Sequence, residues 1–355
     1  MSHREIGIII GGLLFTGWRK VTVSRNMESL AGSFSVSMVQ SSLAAARAIR
    51  PGMSAQIIIT DGTREAQVLD GWVDSRRIKE SDTGVEIEIS GRDKTADLVD
   101  CSAIVESSTW TSATLKKICD DILAPFGLTC EDYAENPDPL ENFTIQNGDS
   151  AFSVIENACR ARGVLPLSDR WGNLILVNSS GQAPAVEDIV RGVNLLDLEE
   201  NHDETGRYSR YIVKGSANSG GDGHGWSGES VSLQGVATDS QVKRYRPLIV
   251  NAEGKLSAGT IKKRAAWEAQ VRAGRSKEYA ATVSGWIQGT ENENSSFSPW
   301  EINQIARVKD DALEVDTSLL ITGVSYSYDD AGEITTLTLK NPDTYKADPS
   351  GGIDV

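Results

Sequence analysis

Alternation of apolar and polar residues is the feature that most constrains the fold of this chain, and it dominates residues 1–93. The strings at 34–38 (Phe-Ser-Val-Ser-Met) and 85–89 (Val-Glu-Ile-Glu-Ile) place every second side chain on one face, which is typical of strands with one buried and one solvated face. The isoleucine run at 57–59 is followed by an Asp-Gly turn at 61–62. So many short strands predict a small antiparallel barrel or split sandwich, because such a sheet leaves few exposed edges.

The apolar stretch from Ile6 to Phe15 predicts a β-hairpin. Gly11 and Gly12 supply a two-residue turn between strands 6–10 and 13–15. As a targeting signal the stretch is unconvincing, since glycines interrupt it and no A-x-A cleavage site follows. A membrane-spanning helix needs about 20 apolar residues, far more than this run offers. We therefore expect a protein that is assembled in the cytoplasm, with no membrane insertion.

The hydrophobic period changes to about 3.6 after residue 111, which indicates a lateral α+β domain over residues 94–183. Apolar residues recur at helical spacing from Leu115 to Leu123, and Pro125 closes that helix. The remaining expected parts are a helix capped by Asp149 or Ser150 that ends before Gly163, a hairpin of residues 164–167 and 174–177, and an exit linker at 179–184.

Patterns typical of β-strands return in residues 184–345, which we predict to be a second β-barrel domain with one long helix. That helix is Ala258–Arg275, an alanine-rich segment with Ile261, Ala265 and Ala269 on one stripe. The predicted strands lie at 208–215, 278–285, 306–309, 319–328 and 334–340. A Gly/Ser-rich loop at 216–228 and a polar tail at 346–355 are expected to be mobile.

The charge balance argues against a protein that grips nucleic acid. Lys and Arg total 35 against 50 Asp and Glu, so the net charge is −15. A surface that binds phosphates needs clustered cations, and this chain repels DNA on average.

The residues that would carry chemistry do not form a recognisable site. No Gly-x-Ser-x-Gly pentapeptide occurs, and His3, His202 and His224 lie far apart. The four cysteines, at positions 101, 119, 130 and 159, form no CxxC pair. We interpret them as reduced residues that are buried in the core or half-buried, although four cysteines also permit two disulfides. No catalytic residue, metal or cofactor is therefore predicted.

Two weaker patterns have ordinary explanations. The string at 223–228 matches G-x-G-x-x-G but lacks the preceding strand and following helix of a nucleotide site, so a flexible loop is the better interpretation. Acidic doublets at 120–121, 199–200 and 329–330 do not face each other across a cleft, as a glycosidase requires. Distant carboxylates brought together by the fold keep one alternative open, a tail-associated lytic enzyme that hydrolyses peptidoglycan.

An ordered set of motifs resembles the Mu-like phage baseplate hub family. Residues 90–102 (SGRDKTADLVDCS) resemble the signature that closes the family's first domain, and residues 148–163 with 172–176 are similar to its second. Arg244-Tyr-Arg246-Pro-Leu, the string at 264–268, and Trp286 and Trp300 resemble its third domain. The opening strands are matched by residues 17–18 and 31–34. More distantly, the chain is similar to the hubs of type VI secretion systems.

The resemblance implies a structural protein of the virion and not an enzyme. In this family two related β-barrel domains flank a small α+β domain, and three copies form a pseudo-sixfold ring. The ring adapts the sixfold tail tube to the threefold central spike of a contractile tail, and it leaves a channel for DNA during genome ejection. The implied partners are the chain itself as a homotrimer, the spike, the tube and other baseplate proteins, with DNA only passing through.

Arg92 and Asp97, within the 90–102 motif, have two interpretations. The first is packing, with Gly91 turning the chain, Asp93 capping the next turn and residues 98–99 entering the core. The second is a contact with a neighbouring subunit.

The third predicted domain has an uneven charge distribution. Residues 240–280 carry ten basic and three acidic residues, a net of +7, whereas residues 309–355 carry three basic and ten acidic, a net of −7. For any single cation a solvated surface is the simpler interpretation. As a group we expect these cations to face an acidic surface of a neighbouring subunit or partner, because a basic channel would bind DNA phosphates. The candidate contact residues are Arg244, Arg246, Lys262, Lys263, Arg272 and Arg275.

Overall fold

The strands of the first segment follow the predicted alternation. The computed structural model describes residues 4–40, 47–82, 84–134, 139–146, 148–160, 162–178, 183–218, 230–251, 258–289 and 297–345. Its first seven strands are β1 (Glu5–Ile10), β2 (Leu13–Phe15), β3 (Lys20–Asn26), β4 (Ser29–Gln40), β5 (Ser54–Thr60), β6 (Glu65–Ser81) and β7 (Gly84–Asp93). The predicted hairpin is confirmed, because β1 pairs with β2 and Gly11 and Gly12 have φ of 57° and 82°, as a tight hairpin turn demands.

The lateral segment has its own core and two small sheets. Its elements are α1 (Ala96–Asp100), β8 (Thr109–Ala113), α2 (Leu115–Leu123), a 3₁₀ turn (Ala124–Phe126), β9 (Cys130–Asp132), β10 (Leu140–Thr144), α3 (Ala151–Arg160), β11 (Val164–Ser168) and β12 (Leu174–Asn178). Both predicted helices and the hairpin β11–β12 are confirmed. Thr114 accepts a hydrogen bond from the Lys117 amide and so begins α2. The Ser150 hydroxyl accepts from Ser153, as its predicted capping role requires.

The remaining strands divide between two sheets. The elements are β13 (Ile189–Val190), β14 (Leu195–His202), β15 (Arg210–Asn218), β16 (Ser230–Thr238), β17 (Pro247–Asn251), α4 (Ala258–Arg275), β18 (Lys277–Ser284), β19 (Gln304–Asp310), β20 (Val315–Asp329), β21 (Gly332–Lys340) and a 3₁₀ turn (Pro342–Tyr345). Strands β15, β16 and β17 form a separate sheet that packs on α4. Ile261 and Ala265 of the predicted stripe are buried there with Val213, and Ala269 is partly buried.

One 13-stranded sheet joins the first and last segments, and this corrects the prediction of two barrels. Its order is β14-β18-β21-β20-β3-β4-β7-β6-β5-β1-β2, with β19 pairing to β20 and β13 to β19. Strands β3 and β20 make the junction, from Asn26 opposite Gly323 to Val21 opposite Tyr328. No sheet closes on itself within the described ranges. The edge that a closed barrel would have removed is instead covered by a strand from the other end of the chain.

The two halves of this sheet share one plan. The order β3-β4-β7-β6-β5 in the first half corresponds to β14-β18-β21-β20-β19 in the second. The long strands β6 and β20 each carry a bulge, between Val73 and Ser75 and between Ile321 and Gly323. Each then ends in a tight hairpin, in which Ser81 pairs with Gly84 in one half and Asp329 pairs with Gly332 in the other. The halves are therefore structural repeats, as the family resemblance implied.

Candidate assembly surfaces

Three carboxylates of the acidic doublets are engaged in ordinary surface ion pairs. Asp120 accepts from Lys116, and Asp121 from Lys117, both one turn away on α2. Glu200 lies against Lys277 on the neighbouring strand β18. The described residues contain no group of three or more His, Cys, Asp or Glu side chains that could hold a metal ion, and no helix among them is long and apolar enough to cross a membrane. His3, His224, the glycine pattern at 223–228 and the tail at 346–355 lie outside the described residues.

All four cysteines are free thiols. Cys119, Cys130 and Cys159 are buried in the core of the lateral segment, whereas Cys101 is exposed. The hydrogen bond with Cys119, together with burial, raises the pKa of the Cys130 thiol. A buried thiol that holds its proton is a poor nucleophile, so this cluster packs the core and carries no evident chemistry.

Arg92, a predicted contact residue, forms ion pairs within the chain. Its guanidinium lies 2.7 Å from Asp74 on β6 and 2.7 Å from Asp100 on α1. Asp97 lies on the same helix and is exposed overall, but partial desolvation of its carboxyl group and the negative charge of Asp100 raise its pKa. Arg92 therefore fastens α1 to the large sheet, and a further contact with another subunit stays a prediction for both residues.

The buried carboxylate of Asp93, the residue after Arg92, joins the large sheet to the lateral segment. Asp93 is 1% exposed and accepts hydrogen bonds from the Gly32 amide (2.7 Å), from the amide and hydroxyl of Thr95 (3.0 and 2.6 Å) and from the Ser168 hydroxyl (3.0 Å). Arg25, 5% exposed, donates to the Ser168 carbonyl. Burial raises the pKa of Asp93, although these donors and the Arg25 charge oppose the shift.

Sequence reasoning found only part of this junction. The capping role of Asp93 is confirmed, because Thr95 donates to it. Arg25 and Ser168 were missed. Arg25 follows Val21 and Val23 on the buried face of β3, so an arginine in phase with core residues was a signal of a buried partner.

The β11–β12 loop touches both halves of the sheet. Arg170 lies 3.0 Å from Glu301, which follows Trp300 in the second half. The Arg170 carbonyl accepts from Gln67 of the first half at 3.1 Å. Lys94, directly after β7, donates to Asp70 of β6 at 2.6 Å and lies 3.5 Å from the Trp171 carbonyl of the loop. The lateral segment is thus fastened across the region where the two halves meet.

The predicted basic group separates into two sets. Arg272 is neutralised by Glu268, which is 5% exposed and also pairs with Arg264 on the same helix. Arg246 stacks over Tyr208, as Arg272 does, and donates to backbone carbonyls. The cations that remain exposed are Arg244, Lys262, Lys263 and Arg275. Only this second set has the exposure that contact with another molecule requires.

The sheet presents free edges at defined places. Strand β14 pairs only with β18, and β6 beyond its bulge pairs only with β7, among the strands that the structure describes. Strand β2 ends the sheet with Leu13 and Leu14, which are 63% and 60% exposed. Leu196 on β14 is 53% exposed. Unpaired strands with exposed apolar side chains are surfaces on which another chain can add.

Comparisons with known proteins identify relatives over most of the chain. Three family models match in order: Mu phage baseplate assembly protein GpP-like, N-terminal, over residues 5–93; baseplate hub protein gp44-like, second domain, over 95–178; and Mu phage baseplate assembly protein GpP, fourth domain, over 257–348. Baseplate hub protein gp44 of Escherichia phage Mu is 35% identical over 288 residues, which are 78% of this chain and 73% of gp44.

Solved structures with the same fold include a tail protein and a secretion protein. The 43 kDa tail protein of prophage MuSo2 from Shewanella oneidensis is 28% identical, with a TM-score of 0.80 over 96% of this chain and 99% of that one. An E. coli component of the type VI secretion system, similar in structure to the T4 tail proteins gp27 and gp5, shares 13% identity and a TM-score of 0.60 over 96% of this chain and 78% of its own. The second likeness concerns the fold alone.

Proposed function

Because this chain belongs to the family of Mu-like phage baseplate hub proteins, we propose that three copies of it form a ring at the centre of a contractile tail. The observation that carries the proposal is the repeat within the large sheet, in which one five-strand plan occurs twice in one chain. Three chains would supply six such units, three from each half. A ring of this kind presents sixfold sites to the tail tube and threefold sites to the central spike.

The parts of the chain take different places in this proposal. Residues 1–93 and the large-sheet strands within 184–345 build the ring, and residues 94–183 form a lateral domain fastened to it by Asp93 and Arg170. The protein would reside in the virion as part of the tail baseplate, after assembly in the host cytoplasm. Other baseplate proteins would contact its outer surfaces.

DNA passes through the channel of the ring without being held there. The net charge of −15 per chain supports this, because an acidic protein repels phosphates. The exposed cations Lys262, Lys263 and Arg275 would then face a neighbouring subunit or a baseplate partner. A structure of the assembled ring tests this placement, and cations of α4 lining the channel would contradict it.

The function is structural and not hydrolytic, with its alternative a tail-associated lytic enzyme. The ion pairs that engage Asp120, Asp121 and Glu200 support the structural function, since paired surface carboxylates are poorly placed for acid–base catalysis. Purified protein should leave a peptidoglycan suspension turbid while lysozyme clears it. Clearing by the purified chain that a carboxylate substitution abolishes would establish the enzyme instead.

Light scattering on the purified chain tests the ring. The expected mass is three times that of the chain, and it should stay constant over a tenfold dilution at micromolar concentration. A monomer throughout that range would contradict self-assembly of the ring. Adding the central spike protein should then give a complex of three hub chains with one spike.

A further inference from the structure

The junction between β3 and β20 provides a template for a contact between subunits. In the chain, Thr22 lies opposite Ser327, and the hydroxyls of Ser24 and Ser325 approach to 3.3 Å across the two strands. Strand β20 is free to accept β3 because β19 pairs only with its first part, up to Ile321. In this template, the edge strand of one half, β3, pairs with the long strand of the other half, β20, beyond the bulge of that long strand.

Among the described strands, the same two edges recur without a partner. Strand β14 stands in its half where β3 stands in the other, and β6 stands where β20 stands. Strand β5 pairs with β6 only as far as Trp72, so residues 75–80 have one open side among the described strands. Each chain thus contains one complete junction, between β3 and β20, and two open edges, on β14 and on β6, from which a second junction can form.

The matched bulges fix which residues correspond. Ser75 and Gly323 are the first residues beyond the bulges, so Lys79 corresponds to Ser327 four residues later. In the first half, Ser75 pairs with Ser90, Ser90 with Ser35, and Ser35 with Thr22. In the second half, Gly323 pairs with Thr338, Thr338 with Ala280, and Ala280 with Glu199. Glu199 is therefore the counterpart of Thr22.

We infer that β14 of one subunit pairs antiparallel with residues 75–80 of β6 in the next subunit, with Glu199 opposite Lys79. This inference rests on the proposed ring and adds its residue-level register. Asn201 then lies opposite Arg77, in the place of the Ser24–Ser325 contact within the chain. The six units of three chains would be joined by six equivalent strand junctions, three within chains and three between them.

The charges of the two edges support this pairing. Lys79 and Arg77 are exposed on β6, and the side chain of Arg77 is 77% exposed. Asp197 and Glu199 are exposed on β14 on the matching face. Directly opposite residues in an antiparallel pair have Cβ atoms about 4.5–5.5 Å apart, so Lys79 and Glu199 would form an ion pair. On the other face, Glu200 is already held by Lys277 of its own chain.

Charge selects the edges, whereas the repeat selects the register. A slip of two residues would put Lys79 opposite Asp197 and would still pair opposite charges. A slip of one residue would turn the basic side chains to the other face of the sheet. Cysteine cross-linking separates these cases, because a disulfide requires Cα atoms no more than about 7 Å apart.

The experiment uses the full chain with Cys101→Ser, which removes the exposed native thiol. A chain with Lys79→Cys is mixed with a chain with Glu199→Cys under mild oxidation, after confirmation by light scattering that both form trimers. We expect a covalent dimer of the two chains. The pair Lys79→Cys with Asp197→Cys is the register control and should cross-link at least about fivefold less.

The outcomes distinguish the inference from the proposed function. Trimers that give no Lys79–Glu199 cross-link, or that cross-link better through Asp197, overturn the register and leave the ring standing. Monomers before oxidation contradict the ring itself. A disulfide within one chain, produced by the double variant alone and absent from the mixture, would show that the two edges meet inside the chain and would also overturn the inference.

Charge reversal provides an independent readout. Lys79→Glu and Glu199→Lys should each weaken trimerisation, by about three- to tenfold per junction, because like charges would lie opposite each other. Combining both substitutions in one chain should restore it. Glu131→Lys, at the exposed position of β9 in the lateral segment, is the matched control and should leave the mass unchanged. Failure of the double variant to recover, when both single variants dissociate, would contradict the ion pair.

Discussion

Replacement of Asp93 by alanine should destabilise the chain more than removal of any surface ion pair. The carboxylate accepts four hydrogen bonds from donors on three different segments, at 2.6–3.0 Å. Alanine would leave the Gly32 and Thr95 amides buried without an acceptor and would leave Arg25 without its nearby counter-charge. A buried unsatisfied donor is unfavourable by about 1–3 kcal/mol, and breaking a buried charged network by about 3–5 kcal/mol. We expect a loss of about 3–5 kcal/mol.

The assay is urea unfolding followed by tryptophan fluorescence, at a concentration where both proteins have the same mass by light scattering. Asp74→Ala is the control, because it removes a half-exposed partner of Arg92 and should lower the free energy of unfolding by only about 0–1 kcal/mol. Hydrogen exchange should also accelerate in peptides that contain Gly32 and Thr95. A loss for Asp93→Ala no greater than that for Asp74→Ala would refute the assignment of Asp93 as the junction's central acceptor.

Three further predictions concern pH, the core and the lateral contact. The pKa of Asp93 is raised above its ordinary 3.8, so on acidification the folded state binds this proton before the unfolded state does. The stability that Asp93 contributes relative to Asp93→Ala should therefore be fully present below the ordinary pKa and should fall as pH rises through the folded pKa. An unchanged difference in urea midpoints between pH 4 and 8 would contradict this. Tyr326→Phe should lower the free energy of unfolding by about 1–3 kcal/mol, since the fully buried Tyr326 hydroxyl donates to a backbone carbonyl. Tyr328→Phe, on the same strand but less buried, should leave the free energy of unfolding nearly unchanged. Calorimetry measures both variants. A double-mutant cycle on Arg170 and Glu301, whose side chains are 19% and 22% exposed, should give a coupling free energy of about 1 kcal/mol. A coupling near zero would show that this ion pair does not stabilise the contact between the lateral segment and the second half of the sheet.

Local rules in the sequence predicted individual elements well. The hairpin at Gly11-Gly12 and the helix Ala258–Arg275 were confirmed because their signals lie within a few residues of one another. Ser150, one of the two predicted caps, shows the same for a helix start. Such signals are set by backbone geometry and capping, which need no knowledge of distant partners.

Partners across the chain could not be predicted in this way. Sequence patterns identified strands such as 34–38 and 319–328, but they contain no information on which edges meet, so two barrels were predicted where one sheet is found. The predicted strand 208–215 was assigned to the second barrel, yet it belongs, as β15, to a separate sheet on α4. The partner of Arg25 lies on a strand 143 residues away, beyond the reach of any local pattern.

The pairing of β3 with β20 has a consequence for synthesis of the protein on the ribosome. Strand β3 ends at Asn26, whereas its partner begins at Val315, so roughly 290 residues must be translated between them. At about 5–20 residues per second, that interval lasts on the order of 15–60 s. Throughout it, the first half of the sheet exposes an edge whose intended partner has not yet been made. Neighbouring nascent chains on one polysome could occupy that edge, and a chaperone that shields residues 20–26 during translation would raise the yield of correctly folded hub.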